Sequence, residues 1–242
     1  MRIAMWSGPR NLSTAMMYFF AARGDCAVWD EPFYGAYLAD TGLDHPLRAE
    51  TLAAWPRNAA AAVSLCLGPI PGGKPLFYQK HMTHHMLPGY DLGWVADCRN
   101  LFLIRHPARV IASYLAKREA PTAQDIGFAR QAELFDEIAG ITGAEPAVFD
   151  ADDIRSDPKR AVAAICAAAG IAFDPAMLAW PAGPIAEDGP WAPHWYGAVH
   201  QSTGFAGPEG ALPQVPEAQK ALLDDAMVHY ERLAARKWIS QN

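Results

Sequence analysis

Several common signatures are missing from this 242-residue sequence. Its four cysteines, Cys26, Cys66, Cys98 and Cys166, form no CxxC pair, which excludes a zinc knuckle or a compact disulfide framework and predicts reduced thiols. No uninterrupted apolar run approaches the ~20 residues that span a bilayer. No basic n-region followed by an apolar core opens the sequence either, so a cytoplasmic protein without an integral membrane segment is expected. Positive charge is scarce: 20 Lys and Arg stand against 26 Asp and Glu, a formal charge of −6. That balance argues against a nucleic-acid partner, whose phosphate backbone is gripped by clustered basic residues. Repeats and low-complexity tracts are also absent, so any anion site must be a local device.

What is present is a folding composition, 51% apolar and 19% charged, and a length that fits one α/β domain over residues 1–242. Short apolar or aromatic runs at 2–7, 26–30, 75–81, 100–106 and 146–150 read as strands buried on both faces. Helical spacing, alanine content and flanking Pro or Gly predict helices at 13–22, 57–67, 107–118, 123–140, 157–170 and 215–236. This alternation predicts an α/β fold with a mostly parallel central sheet covered on both sides. Ligands of such sheets bind at the carboxyl ends of the strands. The segments 179–193 and 204–216 are rich in Pro and Gly but also in Trp, Phe and Leu. The C-terminal part, about 173–242, therefore reads as ordered loops and a terminal helix over the site.

Two strand-to-helix turns carry the chemistry. In WSGPRNLSTAM, residues 6–16, the turn between strand 1 and helix 1 would present backbone N–H groups and the positive helix end to an anion. Gly8 fits the nucleotide-triphosphate pattern GxxxxGK[ST], but Ser13 and Thr14 stand where its second Gly and its Lys belong. Arg10 can supply the missing charge and the two hydroxyls can donate to the same anion. The alternative is a turn capped by Ser13 or Asn11 with nothing bound. In LFLIRHPARVIASYLAKR, residues 101–118, a buried strand ends at Arg105 and Pro107 opens a helix whose Val110, Ile111, Tyr114 and Leu115 form an apolar face. Arg109 and Ser113 are one turn apart, and Arg105 lies just before the helix, within reach of the same anion.

The order and spacing of these two segments resemble the nucleotide-binding core of sulfotransferases that use 3′-phosphoadenosine 5′-phosphosulfate (PAPS). The resemblance implies a P-loop-type three-layer αβα fold. It also implies that Pro9, Arg10, Asn11, Leu12, Ser13 and Thr14 hold the 5′-phosphosulfate, Arg10 standing at the family's usual Lys. Arg105 and Ser113 have the eight-residue spacing with which the family holds the 3′-phosphate. Leu12 replaces a frequent Gly, and Ala15 stands where the cytosolic branch has Trp, which indicates a divergent branch. VFDADDIRSDP followed by a helix ending AAAGI is similar to the family's acidic segment, so the likeness covers most of residues 1–172. In HQSTGFAGPEG, Ser202, Thr203 and Gly204 fall where the family places a loop over the nucleotide, without its usual basic residues.

Sulfuryl transfer needs a donor clamp, positive charge on the leaving oxygen and a base for the acceptor. The resemblance implies Arg10 for the leaving oxygen, Lys80 in YQKHMTHH as a second cation and no metal. Two residues compete as base. Glu31 in WDEPFY ends strand 2, beside strand 1 in many doubly wound orders, and its pKa would rise in a site lined by Trp29, Phe33 and Tyr34. His81 adjoins Lys80, and a continuing strand turns neighbours to opposite faces, so Glu31 is preferred. Asp30-Glu31-Pro32 also reads as a plain solvated strand exit. His81, His84 and His85 have metal-ligand spacing, but Pro88 and Gly89 follow at once with no nearby carboxylate. Asp150, Asp152 and Asp153 read as caps for the next helix, and Trp191, His194, Trp195 and Tyr196 as a pocket wall or a packed lid. The apolar, Trp- and Pro-rich segments 36–74 and 186–205 fit a small organic acceptor. A P-loop kinase would instead want a loop Lys and an acidic metal ligand, for which only Asp150 offers itself. A non-catalytic nucleotide-binding protein of the same fold is the third reading.

Overall fold

The structure, a computed structural model, describes residues 1–117 and 120–238. Its strands are β1 Arg2–Ser7, β2 Cys26–Asp30, β3 Leu76–Met82, β4 Arg99–Ile104 and β5 Ala147–Asp150. They form one sheet in the order β2-β3-β1-β4-β5, and every pairing is parallel. The strands fall where the apolar runs predict them. One expectation is corrected: β3 inserts between β1 and β2, so Glu31 is separated from the first strand by the strand that carries Lys80.

The helices are α1 Ser13–Ala22, α2 Tyr34–Thr41, α3 Arg48–Ala54, α4 Ala59–Leu67, α5 Pro107–Ala116, α6 Ala123–Ile126, α7 Phe128–Thr142, α8 Ala151–Ser156, α9 Pro158–Ala169, α10 Ala192–Trp195, α11 Gly197–His200 and α12 Lys220–Ala234. Residue 118, the last of the predicted 107–118 helix, lies outside the described residues. Strand side chains alternate between two faces, and both faces are apolar because both are covered. Ile3, Met5, Leu101 and Leu103 pack with Met16–Phe20 of α1 and with Val162, Ile165 and Cys166 of α9. Ala4, Trp6, Phe102 and Ile104 pack with Ala62 and Cys66 of α4, Leu134, Phe135 and Ile138 of α7, and Leu233 of α12.

Departures from the predicted helices have local causes. The 123–140 run divides at Gly127, whose φ of 66° is left-handed and ends α6; glycine adopts that conformation without a Cβ clash. Thr122 and Asp125 close a capping box at the head of α6, as the S/T-x-x-acid pattern allows. The predicted 157–170 helix is α9, capped by Asp157 and preceded by the short α8 that Asp150 caps. Helices α2 and α3 lie outside the periodic segments. α2 reads YGAYLADT and is buried from Tyr34 to Leu38, so tertiary burial rather than an amphipathic pattern holds it.

Candidate active site

The carboxyl ends of β1, β2 and β3 open on a cleft of about 400 Å³. At its floor β1 gives way to the turn Gly8–Leu12. Arg10 takes φ 54°, a left-handed value that a non-glycine residue adopts only under constraint. Asn11 Nδ2 donates to Leu103 O of β4 at 3.0 Å, and Leu12 N donates to Asn11 Oδ1 at 2.8 Å. Asn11 thereby ties the turn to the sheet instead of capping the helix. α1 begins with no side-chain cap hydrogen bond at all, which leaves its first-turn N–H groups to other partners. The Arg10 guanidinium lies over the rings of Tyr114 at 4.8 Å and Trp195 at 4.9 Å, and Pro9, Arg10, Asn11, Ser13 and Thr14 all line the cleft.

The second feature is a buried ion cluster on the same floor. Parallel register sets Asp30 of β2 opposite Lys80 of β3, so both side chains leave the sheet on one face. Lys80 Nζ donates to Asp30 Oδ1 at 2.9 Å, Glu31 Oε1 at 2.6 Å and the Tyr196 hydroxyl at 2.6 Å. That spends all three ammonium protons. The Tyr196 hydroxyl donates in turn to Asp30 Oδ2 at 2.7 Å and accepts from Trp191 Nε1 at 2.8 Å. Gly189 N also donates to Asp30 Oδ2, at 3.1 Å; a Cβ on Gly189 would stand 2.2 Å from the Trp191 ring, so no larger residue fits that approach. Glu31 itself takes φ 41°, its N–H held by Lys80 O at 3.0 Å. Its Oε2 lies 3.8 Å from His85 Nδ1.

Electrostatics follow from two carboxylates sharing one ammonium out of water. Burial pushes the Glu31 carboxyl above its ordinary value against the pull of Lys80, and Asp30 adds to the rise. For Lys80 burial acts downward, but the attraction of Asp30 and Glu31 outweighs it and holds the ammonium charged. His84 and His85 line the cleft beside Tyr34 and Tyr37, His85 stacking on Tyr34 at 4.5 Å. Burial lowers His84 to about 4 and His85 well below its ordinary value, so both rings are neutral at pH 7.

The third feature lies at the carboxyl ends of β4 and β5. Arg105, Arg109 and Arg155 converge on the Glu209 carboxylate. Arg105 Nη2 pairs with Oε1, Arg155 Nη1 lies 2.9 Å from the same oxygen, and Arg109 Nε is 3.4 Å from Oε2. Arg105 also donates to Arg10 O, which joins this group to the first turn.

Comparison with known proteins now adds a decisive observation: the model of the sulfotransferase domain family matches residues 1–237. The chain belongs to the sulfotransferase domain family. Two Arabidopsis thaliana proteins, branched-chain-amino-acid aminotransferase-like proteins 1 and 2, are 36% and 34% identical to it over 232 residues. These matches cover 96% of this chain but only 41% of either relative, so the chain spans about two fifths of their length. The solved sulfotransferase domain from the curacin biosynthetic pathway aligns with a TM-score of 0.52 at 15% identity, covering 93% of this chain and 96% of that one. At that identity the likeness concerns the fold, a parallel sheet with helices on both sides.

Within this sulfotransferase domain, several residues singled out in the sequence lie elsewhere than in the cleft. His81 points to the opposite sheet face, stacked on Trp6 at 4.5 Å with Nε2 3.2 Å from Gln79 Oε1. The cause is the strand alternation that sends Lys80 inward, and it also parts His81 from His84 and His85 as a ligand set. Ser202 accepts from Trp180 Nε1 at 3.2 Å and donates to Val199 O at 2.7 Å. Thr203 O accepts from Trp180 N, and a Cβ on Gly204 would stand 3.1 Å from Leu178 O. That trio packs on the loop before α10, and the chain reaches the arginines a few residues later, through Gly207, Glu209 and Gly210. Asp150 caps α8 through Oδ1 and accepts from Tyr230 through Oδ2 at 2.7 Å. Ser113 is half-buried on α5, one turn beyond Arg109.

Sequence reasoning missed the roles of Asp30, Tyr196, Arg155 and Glu209. The Asp30-Glu31 pair after a strand was a usable signal, since a carboxylate doublet at a sheet edge calls for a buried cation. Tyr196 was legible as a pocket wall, where it stands, and Glu209 only as part of the 200–210 segment; their polar partners were not, because long-range chain return brings them to the site.

Proposed function

We propose that this sulfotransferase domain moves a sulfuryl group from PAPS to the hydroxyl or amine of a small organic acceptor. The observation that carries the reading is the junction of Arg105 with Arg10: the guanidinium of the second turn donates to the carbonyl of the first. Two cationic turns at one sheet edge suit a ligand with two separated anionic groups, and the donor supplies an activated sulfuryl group on a 5′-phosphate plus a 3′-phosphate. The uncapped start of α1 with Ser13 and Thr14 fits the 5′ end, and Arg105 with Ser113 fits the 3′-phosphate.

In this reading Arg10 stabilises charge on the leaving oxygen, its aim set by the strained φ and by the rings of Tyr114 and Trp195. Glu31 is the base. It lines the cleft, and its proton affinity, raised by burial, suits removal of a proton from the acceptor. Lys80, its protons spent on Asp30, Glu31 and Tyr196, orients Glu31 and does not act as a second clamp on the donor. Tyr34, Tyr37, Trp191 and Trp195 line the cleft, and an aromatic lining favours a flat aromatic alcohol or amine. A kinase is disfavoured because both oxygens of Asp150, its one candidate metal ligand, already hold protein partners.

The test is transfer of sulfur-35 from labelled PAPS to a panel of simple phenols and aryl amines, with wild type and Glu31→Gln compared. Label on an acceptor with wild type and its loss in the variant are expected. Transfer of the terminal phosphate of ATP to the same panel, with none from PAPS, would overturn the reading.

A further inference from the structure

The three-arginine group is already filled, and by the protein's own chain. Glu209 sits on a stretch from 201 to 216 whose residues beyond Gln201 carry no helix or strand. Phe205 packs against Phe19 and Trp180 at one end, and Val215 packs against the α5 cluster at the other. Between these apolar anchors the chain is held by the arginines: Arg155 Nε donates to Gly207 O at 2.8 Å and Arg109 Nη2 to Gly210 O at 2.7 Å.

The carboxylate is an imperfect occupant. Among the described residues, Arg105 Nε, Arg109 Nε and Glu209 Oε2 are buried without a hydrogen bond; Arg109 Nε has only the longer ion-pair approaches to Asp152 Oδ1 at 3.2 Å and Glu209 Oε2 at 3.4 Å. A planar carboxylate has two oxygens for three guanidinium groups. Charge is unbalanced as well, since three cations face Glu209 and Asp152, the latter 3.2 Å from Arg109. A phosphate monoester brings three oxygens and up to two negative charges, so it would accept hydrogen bonds from the donors that lack them and neutralise the remaining cation.

We infer that Glu209 is a built-in competitor for the donor's 3′-phosphate: it occupies the Arg105–Arg109–Arg155 site in the absence of nucleotide and must leave for the bisphosphate to bind, releasing the 206–212 strap. The inference rests on the PAPS reading of the site. It assigns Arg109 and Arg155 to the 3′-phosphate beside Arg105, and it makes Glu209 the residue that sets how much the 3′-phosphate contributes to affinity. Apparent affinity is reduced by the fraction of molecules in which the strap is closed, so removing the competitor tightens binding of ligands that carry that phosphate and no others.

The experiment measures dissociation constants of 3′,5′-adenosine bisphosphate and 5′-AMP by calorimetry for wild type, Glu209→Gln and Glu209→Asp. Thermal melts confirm that each is folded. Glutamine removes the charge and aspartate shortens the reach, so each loosens the strap by a different route. Expected is an affinity gain of about tenfold or more for the bisphosphate in both variants, about 1.4 kcal/mol, with 5′-AMP within about threefold of wild type. A merely structural role would weaken both ligands together. Equal bisphosphate affinity in wild type and variants overturns the inference while leaving the donor reading in place. Failure of wild type and both variants to prefer the bisphosphate over 5′-AMP overturns the donor reading and this inference with it.

Discussion

Lys80 Nζ lies 2.6 Å from Glu31 Oε1, and the same nitrogen holds Asp30 Oδ1 at 2.9 Å. One buried cation therefore serves two carboxylates. Burial raises the proton affinity of Glu31 against the pull of Lys80, and Asp30 adds to the rise, while the contact with Lys80 fixes its orientation. An oriented carboxylate with a raised pKa suits the role of base proposed for Glu31.

Glu31→Gln preserves shape and removes the carboxylate proposed as the base. The expected loss in transfer rate is roughly 10²- to 10⁴-fold, with bisphosphate affinity nearly unchanged. The pH profile gives the sign: burial raises the folded pKa of Glu31, so activity is low where Glu31 is protonated and rises with pH through a limb above the ordinary carboxylate value. Kinetics from pH 4 to 8 would show that limb in wild type and its absence in the residual activity of the variant.

Arg10→Lys keeps the charge but loses the planar group that lies over Tyr114 and Trp195. The two cations are not interchangeable at a stacked site. A fall in transfer rate of roughly 10²-fold, of the order expected for losing one charge-stabilising donor, is predicted, with a smaller change in donor KM.

Lys80→Met leaves two buried carboxylates facing each other. Removing one partner of a buried ion pair costs about 3–5 kcal/mol, to be read from urea unfolding at pH 7. Adding Asp30→Asn to Lys80→Met should recover part of that loss, because one of the stranded charges is gone.

How much of this was legible in the sequence depended on the distance over which each feature is decided. The five strands and α1, α5 and α9 were readable because apolar runs, Pro107 and the caps act within a few residues. Strand order was not: nothing local tells β3 to insert beside β1, and that insertion is what brings Lys80 between Asp30 and the first turn. Arg105 and the PRNLST turn were visible as motifs, whereas Tyr196 and Glu209 reach the site only through chain returns of more than a hundred residues. The alternation argument that set Lys80 against His81 worked because β3 runs on through both residues to Met82.

Stability should fall in mild acid. Burial lowers His81 to about 3 and His84 to about 4, so the folded state favours their neutral forms. Their contribution is complete above the unfolded value near 6.5 and is lost as pH falls from there toward the folded values, at about 1.4 kcal/mol per pH unit for each ring. Glu31 and Asp150, both raised by burial, act with the opposite sign, so the histidine share is isolated by comparing wild type with His81→Gln. The variant should lose less stability between pH 6.5 and 4 than wild type; parallel curves would contradict the assignment.

The central claim is that two cationic turns form one site for a nucleotide carrying a 5′- and a 3′-anion. The most direct measurement is calorimetric titration of wild type and Arg105→Ala with 3′,5′-adenosine bisphosphate, 5′-AMP and ATP with magnesium. Wild type is expected to prefer the bisphosphate to both other ligands, and Arg105→Ala is expected to lose more affinity for the bisphosphate than for 5′-AMP, so that the preference shrinks. Preference for ATP with magnesium, or a bisphosphate affinity that Arg105→Ala leaves intact, would contradict it.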